Sequence, residues 1–323
     1  MSFAKIAGIA LATGLSVAVA GNVVAQSKGL TLGTASQGGT YFIYGGVVAS
    51  LLTEKLGTTV STQQTQGPNQ NVQLIEAGQI ELGMTTMGVA LQAWEGTGDW
   101  TKGKKHNTIR ALFPMYDTPF QCIALKKSGV TKVADLNNKT IGVGPKAGTP
   151  GTYYPLMLEA LNVKVTVRFG QANDMAGQLG DGIIDAFCFA AGLPIAAFTQ
   201  IETSADSVFF TFTDAEIATL KSKMPELSDA TIPKATYKSQ AGDQKTVGLY
   251  NFGIASKDLP NDVAYNIVKA VLENNARMVS GHSAAKETII DNVGRNAFLP
   301  FHPGAVKYYQ EKGIKLNDKV MPK

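Results

Sequence analysis

From Leu30 onward, short apolar runs alternate with longer segments of helical periodicity, and this alternation constrains the fold more than any other feature of the chain. Leu30 to Ala35 reads as a strand, Tyr41 to Leu56 as a helix, Thr59 to Thr65 as a strand and Asn69 to Ala77 as a helix. Ile80 to Thr86 is then a strand, followed by a short helix ending at Trp94 and by strands over Ile109 to Met115 and Phe120 to Leu125. Strands separated by helices pack as α/β layers. The rhythm restarts after Lys126, with strands at Ile141 to Gly144, Val163 to Phe169 and Ile184 to Phe189 and helices over Thr152 to Leu161 and around Met175. Val208 to Phe212 adds a strand, Asp214 is placed to cap the next helix, Val247 to Ala255 is a long apolar strand, and Pro260-Asn261-Asp262 opens a helix reaching Met278. Ser222 to Gln244 reads as a polar excursion.

This restart predicts two lobes. Residues 26–117 with 250–323 form the first and residues 118–249 the second, with the chain crossing between them near 115–125 and 245–255. No Gly/Ser or Pro-rich tether separates the halves, so a hinge of two crossing strands is expected rather than two beads on a string. Residues 26–323 are more than one compact core usually carries.

The start of the chain has a different character. Lys5 precedes an apolar run from Ile6 to Ala20, and small residues follow up to Ala25. This is the pattern of a secretory signal peptide over residues 1–25; the run falls short of the ~20 apolar residues of a spanning helix. Cleavage is expected after Ala25 or after Ala20. No cysteine precedes Cys122, so a lipid anchor at the cleavage site is excluded, and a freely diffusing protein of a Gram-negative periplasm is the natural expectation. Cys122 and Cys188 could pair in such a compartment, but two buried strand thiols are the preferred reading. The net charge of +4 is mild and the lysines are scattered, with no basic stripe carrying interleaved aromatics, so nucleic-acid binding is not expected.

Glycine-rich turns before helices are the chemically informative segments. In Ser36-Gln37-Gly38-Gly39-Thr40-Tyr41 a strand ends, the glycines permit a tight turn, and Thr40 is placed to cap a helix from Tyr41. Gly144 to Thr152 repeats the arrangement in the second half, with Lys146 as a potential cation beside Gly148 and Thr149. Backbone N–H groups at helix starts form anion sites, so two such turns facing each other across a cleft would hold a carboxylate from both sides. Neither turn matches GxGxxG with its acidic partner or GxxxxGK[ST], which disfavours nucleotides. His106, His282 and His302 lie far apart, no zinc spacing or Gly-x-Ser-x-Gly is present, and neither catalytic residues nor a metal or other cofactor is predicted.

Gly38-Gly39-Thr40-Tyr41, Val143-Gly144-Pro145 with Ala147-Gly148-Thr149, Ile184-Asp185-Ala186-Phe187 leading to Ala191-Gly192, Leu259-Pro260, and His302-Pro303-Gly304-Ala305 with Tyr308-Tyr309 together resemble the TAXI family of TRAP transporter solute receptors. The resemblance covers about Leu30 to Gly313. It implies a class II periplasmic binding-protein fold, a small carboxylate or amino-acid ligand in the cleft, a TRAP permease as membrane partner, and no enzymatic activity. A monomer is expected. By position, the implied pocket residues are Gly39, Thr40, Tyr41, Gln66, Asn71, Thr86, Met87, Lys146, Gly148, Thr149, Ala190, Ala191 and Gly192. Where many members read Gln-Ser-Asp after the third strand, this chain has Thr86-Met87-Gly88, which removes an acidic group and favours a carboxylate without a charged amine. The alternatives are a glutamate-like ligand delivered to an ABC-type or sensory system, and a periplasmic transferase on the same fold.

Overall fold

A computed structural model describes residues 29–322; the signal peptide expected over residues 1–25 lies outside the described residues. The first half is built on parallel strands β1 (Leu30–Gly33), β2 (Val60–Gln63) and β3 (Leu82–Thr86). The connecting helices are α1 (Thr40–Leu56) and α2 (Pro68–Glu76), and α3 (Met87–Glu95) follows β3 directly. α1 stops where Gly57 turns left-handed at φ 64°, a conformation open to glycine without steric penalty.

The two strands expected near 109–115 and 120–125 are one 17-residue strand, β4 (Ile109–Leu125), which runs extended through Asp117-Thr118-Pro119 because ladder partners hold it on both sides of that segment. β4 continues from one half of the molecule into the other and changes partners on the way. Over Ile109 to Pro119 it pairs antiparallel with β10 (Gln244–Ser256), and from Phe120 to Ala124 with β7 (Ala186–Ala190). β5 (Lys139–Gly142) and β6 (Val165–Arg168) run parallel beyond β7, with α4 (Thr149–Ala160) and α5 (Ala172–Gly180) as their connections. The strand order is β2-β1-β3-β10-β4-β7-β5-β6. The fold is therefore a two-lobed α/β arrangement joined by crossing strands. One core packs around the β1 to β3 half, and two smaller cores flank the β5 to β7 half.

Several local expectations are corrected. α6 (Ala196–Ser204) precedes β8 (Ser207–Phe210), which pairs with β4. The helix α7 (Asp214–Lys223) is capped by Thr213, whose hydroxyl accepts from the Glu216 amide while the Glu216 carboxylate accepts from Thr213; Asp214 is its first residue. The polar excursion contains a strand, β9 (Ser228–Ile232), which extends the edge of β10. The helix expected from Pro260 to Met278 breaks at Asn274 into α8 (Asn261–Glu273) and α9 (Asn275–Gly281), and α10 (Pro303–Glu311) packs back on α8. Cys122 and Cys188 are opposed in the β4–β7 ladder and form a disulfide, against the preferred expectation of free thiols. The pairing register decides this, since it places their Cα atoms 4.0 Å apart.

β10 departs from regular pairing with β4 between Tyr250 and Phe252. Asn251 occupies the bulge, and its side-chain amide donates to the Tyr116 carbonyl at 2.5 Å and to the Thr118 hydroxyl at 2.6 Å. Bulges re-aim side chains in this way. Here the re-aimed group ties both crossing strands together where they pass between the lobes.

Candidate functional site

The helix starts of the two halves converge between the lobes. α1 begins after Gly39, α2 after Gly67 and α4 after Gly148, and all three starts line one cavity of about 40 Å³. Ser36, Gly39, Thr40 and Tyr41 come from the first turn, Gln66 to Pro68 from the second, and Pro145 with Gly148 to Pro150 from the third. Ala35 at the end of β1, Thr118 on β4 and Phe189 to Ala191 at the end of β7 complete the wall. The first N–H groups of a helix have no intrahelical acceptor, and each helix start carries about half a positive charge. No lining residue is Asp, Glu, Lys, Arg or His.

The lobes are closed on each other. The Thr40 hydroxyl donates to the Gly192 carbonyl at 2.5 Å, the Asn69 amide donates to the Ala147 carbonyl at 3.2 Å, and the Thr86 and Thr149 hydroxyls lie 3.1 Å apart. The Asn69 side chain also donates to the Thr152 hydroxyl at 3.1 Å. Backbone meets backbone at Gly67, where a Cβ would stand 2.8 Å from Gly148 Cα and where φ is +129°. Only glycine satisfies both conditions.

The expected pocket residues separate into two groups. Gly39, Thr40, Tyr41, Gln66, Gly148, Thr149, Ala190 and Ala191 line the cavity. Asn71, Thr86, Met87, Lys146 and Gly192 do not. Asn71 is committed to the chain itself, its amide donating to the carbonyls of Gly33, Thr34 and Met84, with the Thr65 hydroxyl 2.8 Å from its Oδ1. Met87 packs in the core of the first lobe, the Thr86 hydroxyl meets Thr149, and the Gly192 carbonyl is taken by Thr40. Lys146 is exposed and faces a separate surface groove shared with Trp100 and Phe169. Thr40 is not the cap of α1: Gly39 holds the N-cap position, and Thr40 reaches the opposite lobe instead.

Thr118 was not predicted, because it falls in Asp117-Thr118-Pro119, between the two strands expected there, and no motif marks it. It is held by Asn251, whose Oδ1 accepts from the Tyr41 hydroxyl at 2.5 Å. Burial raises the Tyr41 phenol well above its ordinary range, with Tyr44 adding to the effect, so this hydroxyl is a neutral donor.

The three histidines have local roles. Nδ1 of His302 accepts from the Gly304 amide at the start of α10, Nδ1 of His282 accepts from the Ala284 amide, and His106 stacks on Trp100. Among the described residues no group of three or more His, Cys, Asp or Glu side chains is placed to hold a metal. No helix among them is long and apolar enough to cross a membrane.

The sequence pattern of the NMT1-like family matches residues 32–313. The chain belongs to the NMT1-like family. Its fold is similar to that of the periplasmic binding protein BugD, with a TM-score of 0.59 at 14% identity over 89% of this chain and 98% of that one. A structure described as a periplasmic transporter is similar at a TM-score of 0.53 and 15% identity, covering 80% of this chain and 87% of the other. The amino acid ABC transporter substrate-binding protein AbpA from Streptococcus pneumoniae, bound to L-arginine, is similar at a TM-score of 0.50 and 13% identity over 81% and 96% of the two chains. At these identities the likeness establishes the fold, the two-lobed type II periplasmic binding-protein architecture.

Proposed function

We propose that this member of the NMT1-like family is an extracytoplasmic solute receptor that binds a small carboxylate between its lobes, delivers it to a membrane permease and catalyses no reaction. One observation carries the reading: three helix starts, contributed by both halves, line a single cavity between the lobes that no charged side chain lines. Together the three ends carry about one and a half positive charges. A carboxylate is stabilised there, whereas an ammonium group meets the same potential with no acidic partner. Beyond these ends the wall is mainly apolar, with Ser36, Gln66 and Thr118 as its neutral polar groups, and about 40 Å³ is well below the ~150 Å³ that holds a benzene molecule. The ligand is therefore a compact acid of a few heavy atoms. The hinge of this receptor lies at residues 117–119 of β4 and 248–250 of β10, between lobes made of residues 26–117 with 250–323 and residues 118–249.

A second reading, an amino acid as ligand and an ABC-type partner, is favoured by the likeness to the arginine-bound AbpA. Isothermal titration of the mature protein with acetate, propionate, pyruvate, succinate, glycine, glutamate and arginine separates the two. Binding confined to the acids without an amine supports the first reading, and tighter binding of an amino acid overturns it. The TAXI-like motifs support a TRAP-type permease. Uptake of the bound acid into membrane vesicles should then follow an imposed ion gradient and not ATP. Recovery of a chain beginning at Gln26 or Gly21 from the periplasmic fraction would test the export expectation.

A further inference from the structure

We infer that Phe189 sets the ligand length this cavity accepts, restricting it to short monocarboxylates; the inference rests on the carboxylate reading above. Phe189 lies at the end of β7 and is the bulkiest apolar side chain on the cavity wall. Its ring is wedged between the glycine turns of the two lobes. A Cβ on Gly39 would stand 3.4 Å from ring atoms Cε1 and Cζ, and one on Gly144 would stand 2.5 Å from Cε2. Behind it, the Phe187 ring packs at 5.4 Å between centroids. The ring is therefore packed by the first lobe, the second lobe and its own strand, with the cavity on its remaining side.

The rest of the apolar wall consists mainly of Pro68, Pro145 and Pro150, whose rings are part of the backbone and do not move by rotamer change. A carboxylate on the helix starts leaves its alkyl chain to this wall. Phe189 is thus the one bulky lining group whose truncation lengthens the cavity without altering the helix starts that hold the anion. Gly144 then has a second use beyond backbone geometry, since a Cβ there would displace the ring, whereas one on Gly39 would only touch it.

The test is isothermal titration of the mature wild type, Phe189→Leu and Phe189→Ala with acetate, propionate, butyrate, valerate and hexanoate. In the wild type, binding is confined to acids of about two to four carbons, and each further carbon weakens it about tenfold, the scale of overpacking. In Phe189→Ala the limit moves out by about two carbons or more, and each added methylene within the new space tightens binding about fourfold. Phe189→Leu lies between, and carries the test alone if the alanine variant does not fold. An identical chain-length profile in wild type and variant overturns the role of Phe189 while leaving the carboxylate reading intact. Failure of the wild type to bind any of the five acids overturns the chain-length restriction, and overturns the carboxylate reading too where pyruvate and succinate also fail to bind.

Discussion

The hydroxyls of Thr86 and Thr149, buried and 3.1 Å apart, join the N-terminal ends of α3 and α4 from opposite lobes. Thr86 is the N-cap of α3 and Thr149 is the first residue of α4, so two positive helix ends approach each other in the closed state. On the proposed function, an anion in the adjoining cavity would offset that repulsion and so couple closure to ligand. Thr149→Val removes the bond and leaves the Thr86 hydroxyl unpartnered on closure. Ligand affinity should fall about tenfold, a cost of about 1.4 kcal/mol, while the melting temperature without ligand barely changes. Unaltered affinity by titration would remove Thr149 from the site.

Gly67 and Gly148 meet backbone to backbone across the lobe interface. In Gly67→Ala the new Cβ meets Gly148 Cα at 2.8 Å, and φ of +129° is strained for alanine besides. The closed form should become inaccessible. Small-angle scattering is expected to show a larger radius of gyration that saturating ligand no longer reduces.

Asn251 joins Tyr41, Tyr116 and Thr118 through three buried hydrogen bonds. Asn251→Leu strands the Tyr41 and Thr118 hydroxyls and one strand carbonyl in the bulge. The expected loss is about 3 kcal/mol in urea unfolding, with weaker ligand binding because Tyr41 and Thr118 both face the cavity. A loss below about 0.5 kcal/mol would mean that the network contributes little.

The disulfide closes a loop with a sequence separation of 66 residues. On the chain-entropy account, Cys122→Ala with Cys188→Ala should lower stability by about 4 kcal/mol. Thiol titration of the unfolded, unreduced wild type should find no free thiol, and two reactive thiols per chain would contradict the pairing.

Burial raises the Asp117 carboxyl above its ordinary range, while Arg295 and the Thr118 amide oppose the shift. The folded state therefore binds a proton more tightly than the unfolded chain, whose carboxyl titrates near pH ~4. The contribution of this group is fully present below that pH and is lost as pH rises through the higher folded value. Asp117→Asn should flatten the decline in stability from about pH 4 towards neutrality, as read by urea midpoints across the range. A steeper decline would reverse the sign of the assignment.

Most elements were legible from periodicity, because a strand or helix declares its buried face within a few residues. The turns at Gly39 and Gly148 were legible for the same reason, since a glycine before a helix is a local constraint. The elements missed were those whose identity depends on a distant partner. β9 is polar in sequence and becomes a strand only because the edge of β10 lies beside it. Thr213 rather than Asp214 caps α7, although both residue types suit the position.

What the sequence determined on its own was the two-part α/β architecture and the placing of glycine turns at the helix starts that line the cavity. Tertiary structure alone decided which residues share that cavity. It paired Cys122 with Cys188, committed Asn71 to three backbone carbonyls, left Lys146 on the surface, and brought Thr118 and Phe189 to the wall. The physical reason is range. Backbone preferences act between near neighbours in the chain, whereas a site between two lobes is made of contacts whose sequence separation runs to more than a hundred residues, as between Thr40 and Gly192.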